Sequence, residues 1–278
     1  MKPWSLDVNY IVNSRSVIKP YEIDIFIPEF NLGIEFNGVF WHSEIIKDKK
    51  YHIDKKKLGE SLNIDLIYIW EDDWINKNEI VKSILKSRLK KSDTSIGSRK
   101  MEMKELKDEK IIKEFLNENH IQGWCVSDIK IGLFYNNDLV TISTFSKGRK
   151  NINQKCWELV RFCNKKNFTS IGGLNRLFKY FIEKYSPIEV VSYSDNDLFS
   201  GNSYTNIGMS RVDKYIPNYW WCDGRVRHNR WKFRKDSLIK LGFDSSKSGT
   251  QIMTDRGYFR CWGSGNSKWI WKNSPIIG

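Results

Sequence analysis

The stretch that most constrains the fold of this chain spans residues 21–42, YEIDIFIPEFNLGIEFNGVFWH. Polar and apolar residues alternate over Glu22–Ile27 and again over Leu32–Gly38, which predicts two strands. The residues between them, Pro28-Glu29-Phe30-Asn31, predict a tight turn. The stretch is therefore predicted to form a β-hairpin.

The register of this hairpin places two acids side by side. A turn centred between Glu29 and Phe30 sets Asp24 opposite Glu35, where Cβ atoms lie about 4.5–5.5 Å apart. Two carboxylates that close repel each other unless a cation lies between them, and oxygen ligands suit Mg²⁺. We therefore predict that Asp24 and Glu35 hold Mg²⁺ (or Mn²⁺). The plainer interpretation is a half-solvated hairpin with its acids on the wet face.

Alternation also divides the hairpin into two faces. Asn37 is predicted on the face of the two acids. The opposite face is predicted to carry the apolar side chains, which are Ile23, Ile25, Ile27, Ile34 and Phe36.

An aspartate, a turn and then Glu-x-Lys on a hairpin form the PD-(D/E)xK nuclease pattern, here with Asn37 at the lysine position. The segments IEFNGVFWHSE, KYHIDKKKL and LIYIWEDDW make the match closer. With them, residues 13–92 resemble phage homing endonucleases whose core is related to the very-short-patch repair endonuclease. The resemblance implies a metal-dependent, site-specific DNA endonuclease that hydrolyses phosphodiester bonds, as a nick or a double-strand break.

Because Asn37 is neutral, the positive charge of the pattern's lysine must come from elsewhere. A basic helix predicted over 51–62 carries His52, and Lys55 and Lys56 follow three and four residues later on the same face. Either lysine can replace the missing one, and His52 can position or deprotonate water. The resemblance implies a catalytic role for His42, which follows a tryptophan. There are two alternatives. The histidines could have a structural role, and the lysines could form a solvated face that contacts the DNA backbone.

The whole chain is predicted to form three units of α/β (α+β) class. The first is a PD-(D/E)xK restriction-endonuclease-like core over residues 1–98. That core adds a strand at Leu66–Trp70 and a helix with a capping signature at Asn76 and Glu79. Residues 13–15 and 19–20 are predicted as loop, and residues 90–99, KKSDTSIGSR, as a linker.

The second unit, residues 99–210, resembles the acyltransferase (GNAT) fold. Its pattern predicts a helix over Glu109–Asn119, a hairpin turning at residues 136–138, a strand near Trp157–Cys163 and a helix opened by Gly172 and Gly173 before another strand. In the GNAT fold such helix amides hold a pyrophosphate. The arginine or glutamine of that loop and its second spaced glycine are missing here, and the same amides could hold a DNA phosphate instead.

Charge points to a polyanionic partner. The chain has a net charge of +13 and a pI near 9.4, which favours double-stranded DNA first and an anionic membrane second. Residues 211–278 hold 14 Lys and Arg against 5 Asp and Glu, and are predicted to be a basic, aromatic-rich DNA-binding module. The predicted DNA contacts are Trp41, Arg225, Arg227, Arg230, Lys232, Arg234 and Lys235. For Trp41, packing in the core is the favoured alternative.

Five cysteines, an odd number without CxxC spacing, predict reduced thiols in a cytoplasmic setting, that of the host cell if the gene is carried by a phage. Neither a disulfide framework nor a zinc site is expected. No apolar run approaches about 20 residues, so neither a transmembrane helix nor a membrane partner is expected. A homodimer is one assembly that the sequence allows.

The predicted function is thus a Mg²⁺-dependent homing endonuclease. A mismatch-repair or restriction nuclease with the same core is the first alternative. A catalytically silent DNA-binding protein and an acetyltransferase-like enzyme are alternatives of other classes. Mg²⁺-dependent plasmid nicking distinguishes a nuclease from a catalytically silent DNA-binding protein. Binding of acetyl-CoA identifies an acetyltransferase-like enzyme.

Overall fold

A computed structural model describes residues 7–148 and 156–273. A four-stranded sheet lies nearest the N-terminus, with strand order β1-β2-β3-β4. Its strands are β1 (Ile11–Ile18), β2 (Tyr21–Ile27), β3 (Leu32–Asn37) and β4 (Asp65–Trp70). Strands β2 and β3 are antiparallel with Ile25 opposite Ile34, which confirms the predicted register, while β3 and β4 are parallel.

Helices cover both faces of this sheet, which changes the predicted environment of the acids. These helices are α1 (Tyr51–Ser61), α2 (Glu71–Asn76) and α3 (Asn78–Arg88). Leu58 of α1 packs on one face against Leu66 and Tyr68, and α3 packs on the other against Ile27, Ile34, Ile67 and Ile69. The interpretation that the acids lie on a solvated face of the hairpin is therefore wrong, because α1 buries that face.

The predicted apolar face is only partly correct. Ile27 and Ile34 are buried there, but Ile25 and Phe36 are 36% and 46% exposed. Ile23 packs instead beside Leu66 and Tyr68, on the side of α1.

Three local predictions in this region are wrong for physical reasons. The segment predicted as loop at 13–15 lies within β1, because its backbone pairs with β2. Asn76 ends α2 and donates its side-chain amide to the Asp72 carbonyl, so it does not cap α3. The predicted linker contains β5 (Thr94–Gly97), which pairs in parallel with β10 (Phe168–Ile171).

A seven-stranded sheet forms the centre of the molecule, in the order β12-β16-β11-β9-β8-β7-β6. Its strands are β6 (Glu102–Glu105), β7 (Ile129–Tyr135), β8 (Asp138–Lys147), β9 (Cys156–Asn164), β11 (Glu189–Asp195), β12 (Ser210–Ile216) and β16 (Asn266–Lys272). Asn136 and Asn137 connect β7 to β8 with φ of 51° and 67°, as a two-residue hairpin turn requires. The predicted hairpin is confirmed.

Helices α4 (Glu109–Asn119), α5 (Gly173–Tyr185) and α6 (Asn202–Thr205) accompany this sheet, and the sequence predicted the bounds of α4 correctly. Leu177, Phe178 and Phe181 of α5 fill the largest core cluster, in which Phe181 stacks on Phe145 with ring centroids 3.7 Å apart. The described chain is thus a mixed α+β protein.

A small three-stranded sheet, in the order β14-β13-β15, completes the fold. It contains β13 (Tyr219–Cys222), β14 (Arg227–Asn229) and β15 (Phe259–Trp262), and it packs with α7 (Lys235–Lys240) and α8 (Gly249–Asp255). Ser248 and Gln251, three residues apart in the sequence, predict a capping box, and the structure confirms it at the start of α8. We call residues 219–262 the basic module.

The N-terminal sheet contacts Asp197, which follows β11 of the central sheet. The Tyr68 amide of β4 donates to the Asp197 carbonyl over 2.8 Å, and the Trp70 indole donates to the Asp197 carboxylate over 2.9 Å. Strands β12 and β16, which the sequence assigns mostly to the third unit, belong to the central sheet. The boundaries at residues 98 and 210 stay predictions.

One cysteine prediction needs correction. Cys222 and Cys261 form a disulfide between β13 and β15, because the pairing of these strands brings the two sulfurs together. Cys125, Cys156 and Cys163 are free. Within residues 7–148 and 156–273, no helix has the length and apolar character needed to cross a membrane.

Candidate functional site

The structure brings five of the predicted site residues into one polar cluster. The Asp24 carboxylate on β2 accepts a hydrogen bond from the Phe36 amide over 2.7 Å. Glu35 on β3 forms an ion pair with Lys55 on α1, and the side chains of both are almost fully buried. His42 Nδ1 and His52 Nε2 lie 2.9 Å apart.

Burial controls the protonation of this cluster. Desolvation raises the pKa of Glu35 to about 7, although the ammonium of Lys55 opposes the shift. Desolvation lowers the pKa of His42 to about 4, and the nearby charges of Lys47 and Lys55 add to this effect. It also holds the pKa of His52 well below its usual range. Near neutral pH the two histidines are therefore uncharged.

The remaining predicted residues of the N-terminal sheet lie elsewhere or act differently. Asn37 is fully buried, and its side-chain amide has no hydrogen-bond partner in the part of the chain that the structure describes. Lys56 points away from Glu35 and donates to Asp65 over 3.3 Å and to the Leu66 carbonyl. Only Lys55 therefore reaches the predicted position of the missing lysine.

Trp41 does not pack in the core. Its side chain is 66% exposed and lies edge-on against Phe40. The favoured packing interpretation is wrong, because the turn that carries Trp41 lies at the surface.

The donor set of this cluster does not fit a metal cage. One oxygen of Glu35 accepts from the Lys55 ammonium and one oxygen of Asp24 accepts from the Phe36 amide, while Glu35 Oε1 is buried without a hydrogen-bond partner among the described residues. Among residues 7–148 and 156–273, no three His, Cys, Asp or Glu side chains are grouped so that they could hold a metal ion. The predicted Mg²⁺ or Mn²⁺ cage at Asp24 and Glu35 is thus not formed.

The basic module contains a cleft of about 400 Å³ between β13 and the starts of α7 and α8. The rings of Tyr219 and Trp221 lie side by side because alternate residues of a strand share a face. The guanidinium of Arg230 lies 5.3 Å from the Tyr219 ring centroid and 5.5 Å from that of Trp231. Arg234 approaches the same indole to 5.2 Å. The cleft therefore combines aromatic rings with cations.

Arg227 is the one predicted DNA contact that the structure removes from this surface. Its guanidinium is nearly buried, and it pairs with Asp72 over 2.8 Å and with Asp73. It also lies over the rings of Trp70 and Trp220. Two nitrogens of the guanidinium donate to these carboxylates and the side chain is only 6% exposed, so it is not available to a phosphate. The other five predicted cations of the module form no ion pair with any described residue; they are Arg225, Arg230, Lys232, Arg234 and Lys235.

The sequence analysis missed the aromatic walls of the cleft. Tyr219 and Trp221 precede the interleaved basic stretch, and their signal was the two-residue spacing of rings in the YWWC run. Asp72 and Asp73 were also missed as partners of Arg227, because no local pattern links residues so far apart in sequence.

No family model matches the chain, and no curated protein matches its sequence. Several solved structures resemble it. One is an acetyltransferase from Bacillus subtilis in complex with CoA, 12% identical with a TM-score of 0.34, in a match that covers 63% of this chain and 100% of that one. Another is a GNAT family acetyltransferase from Elizabethkingia anophelis with acetyl-CoA bound, 11% identical with a TM-score of 0.34, covering 63% and 99%.

A third is N-acetylglutamate synthase from Neisseria gonorrhoeae complexed with coenzyme A and N-acetyl-glutamate. It is 11% identical with a TM-score of 0.35, in a match that covers 62% of this chain and 35% of that one. At such identities and TM-scores, no residue role passes from these proteins to this chain.

These findings correct the main functional prediction. The solved structures that resemble the chain are acetyltransferases rather than nucleases, and the described residues do not form the predicted metal cage. The PD-(D/E)xK homing endonuclease, its hydrolase class, its metal cofactor and the related repair or restriction nuclease are therefore wrong.

Proposed function

We propose that this chain binds double-stranded DNA through the basic module. The observation that carries this proposal is the pair of guanidiniums of Arg230 and Arg234 on the exposed indole of Trp231. Neither cation has an acidic partner among the described residues. Each remains available for a phosphate, and phosphate contacts supply most of the non-specific affinity of DNA-binding proteins.

The distribution of charge supports the same proposal. Several cations of residues 211–278 are neutralised by acids elsewhere, as in the pairs of Lys214 with Glu60 and of Arg260 with Glu44. The cations left unpaired include Arg230, Arg234 and Lys235, which line the cleft together. Three unpaired cations thus share one surface, which favours contact with a phosphate backbone.

The test uses the full chain and a fluorescently labelled duplex, with binding followed by anisotropy at several salt concentrations. We expect binding that weakens steeply with salt, since each neutralised phosphate contributes about −0.9 to the slope of log K against log salt. A variant with Arg230, Arg234 and Lys235 all changed to Gln should lose most of this affinity. The absence of binding by the unaltered chain would overturn the proposal.

A matched control removes the same amount of charge elsewhere. Lys107, Lys110 and Lys179 are exposed residues before or on α4 and on α5, far from the module in sequence. Their joint change to Gln should leave most of the affinity in place. If this control variant loses as much affinity as the module variant, the binding depends on net charge alone.

A second candidate is an acetyltransferase-like activity in the central sheet. Strands β9 and β11 are parallel but pair only from Cys156 with Glu189 to Leu159 with Ser192. Directly beyond Leu159, β9 carries a bulge at Val160, where its register with β8 shifts. Bulges bend strands and occur often beside active sites. The opening between the carboxyl halves of β9 and β11 is the specific observation that favours this candidate.

Helix α5 begins close to these strands, at Gly172 and Gly173, and its first amides could hold a pyrophosphate as they would in a CoA-binding protein. The segment 98–101 also lies there, because the Arg176 guanidinium donates to the carbonyls of Ser98 and Met101. Isothermal titration with acetyl-CoA tests this candidate. Absence of heat at millimolar acetyl-CoA, with protein that still binds DNA, would exclude it.

A further inference from the structure

We infer that the cleft of the basic module receives one unpaired base of the bound DNA. This inference rests on the proposed DNA binding and deepens it, because it names the part of the nucleic acid that enters the protein. The cleft is lined by Tyr219, Trp221, Trp231 and Phe233, with Arg230, Arg234 and Lys235 around them.

The volume of the cleft leaves room for a single ring system. Its volume of about 400 Å³ falls in the range of about 300–1,000 Å³ that small-molecule sites occupy. Trp221 is 3% exposed and forms the floor, where it packs on Leu238, Ile252 and Met253. Because the core beneath it is filled, the cleft is not a packing defect of that core.

The rim of the cleft offers a stacking surface. The Trp231 side chain is 58% exposed, so much of the indole is accessible to a ligand. Its contacts are the guanidiniums of Arg230 and Arg234 rather than apolar side chains. A base stacks on such rings whatever its identity, because every base has an aromatic face.

The cations match the phosphates that a base brings with it. Arg230 lies between the rings of Tyr219 and Trp231, and Lys235 follows Arg234 at the start of α7. A base that enters the cleft therefore carries its two flanking phosphates toward unpaired positive charge. An apolar ligand of the same size would leave these cations without partners.

Paired DNA cannot use this site without a change in its own structure. The bases of a duplex stack on one another, so a ring of the protein reaches a base face only after that base leaves the stack. This step costs least for a base that is already unpaired. The full chain should therefore prefer a duplex that contains an unpaired base.

The experiment compares two labelled duplexes that differ only by one unpaired thymine in the middle. The unaltered chain should bind the interrupted duplex about 5- to 100-fold more tightly, which is the range expected for one base stacked on aromatic side chains. Trp231→Ala should bring the ratio of the affinities for the two duplexes close to one, whatever its effect on the affinity for the paired duplex. Trp231→Phe, which keeps a ring, should retain most of the preference.

Trp41→Ala is the matched control, because it removes another exposed tryptophan outside the cleft. It should keep the preference. If Trp41→Ala abolishes the preference and Trp231→Ala does not, the inference is wrong and the base contacts Trp41 instead.

The remaining outcomes separate the inference from the proposal beneath it. Equal binding of both duplexes by the unaltered chain would contradict only the inference about the unpaired base. Binding of neither duplex would contradict both that inference and the proposed DNA binding. Thymidine monophosphate added as a competitor distinguishes the source of the base. Displacement of the interrupted duplex by this free nucleotide at micromolar concentrations would show a mononucleotide site and overturn the inference.

Discussion

Nε of Arg227 donates to Oδ1 of Asp72 across 2.8 Å, although the two residues lie 155 positions apart in sequence. The same guanidinium bonds Asp73 and lies 4.5 Å from the ring centroid of Trp70 and 4.8 Å from that of Trp220. The basic module is therefore tied to α2 and β4 by one buried side chain.

Removal of this side chain should destabilise the protein strongly. Arg227→Met leaves the buried carboxylate of Asp72 without its cation, whereas Asp73 keeps its ion pair with Lys77. An uncompensated buried charge costs about 3–5 kcal/mol. Urea unfolding of the variant measures the loss. The control is Lys82→Met, which breaks a more exposed pair with Glu79 and should cost less than about 1 kcal/mol. Equal losses in the two variants would contradict the structural role of Arg227.

The stability that Glu35 contributes should decrease as pH rises. Burial raises its pKa to about 7, above the ordinary glutamate pKa of 4.5 that applies when the chain is unfolded. Between these values the folded state binds more protons than the unfolded state, so the contribution is complete below about pH 4.5 and is lost as pH rises to about 7.

The measurement is the free energy of unfolding of the unaltered chain minus that of Glu35→Gln, from pH 4.5 to 7.5. This difference should fall with a slope that approaches about 1.4 kcal/mol per pH unit. Glu118→Gln removes an exposed carboxylate and serves as the charge-matched control. A difference that rises with pH would show that burial does not dominate at Glu35.

The charge of Arg234 should matter to DNA binding separately from its shape. Arg234→Gln removes one phosphate contact and should make the slope of log K against log salt less steep by about 0.9. Arg234→Lys keeps the charge and should preserve the slope, although the planar stacking on Trp231 is lost. An unchanged slope in Arg234→Gln would show that this guanidinium does not contact a phosphate.

Helix α4 should depend on the residue that precedes it. The Asp108 carboxylate accepts hydrogen bonds from the amides of Lys110 over 2.9 Å and Ile111 over 3.3 Å. Asp108→Ala removes this cap and should cost about 1 kcal/mol in urea unfolding. Asp108→Ser restores a capping oxygen and should recover most of the loss. Failure of Ser to do better than Ala would refute the capping role.

Local sequence signals predicted those elements whose partners are close in the chain. The hairpin register around Ile25 and Ile34 followed from the turn between them, and the turn at Asn136 and Asn137 followed from the residues that tolerate positive φ. The capping box at Ser248 belongs to the same class, because the interaction spans three residues.

Partners distant in sequence were not predictable. The segment read as a linker contains β5, whose partner β10 lies more than 70 residues later, so no local pattern marks it as a strand. The burial of Arg227 depends on acids that precede it by 155 residues. At the polar cluster, the acids of the hairpin were assigned to a metal because the sequence does not show that Lys55 neutralises Glu35.

The position of β16 inside the central sheet has a consequence for synthesis on the ribosome. This strand lies between β12 and β11, yet it is made after every other strand of the sheet. Until residues 266–272 emerge, β11 and β12 each present an unpaired edge, which is a template for association with other chains. Nascent chains that stop before residue 266 are therefore expected to aggregate, which sedimentation of translation products would detect, while chains that extend past residue 272 should remain dispersed.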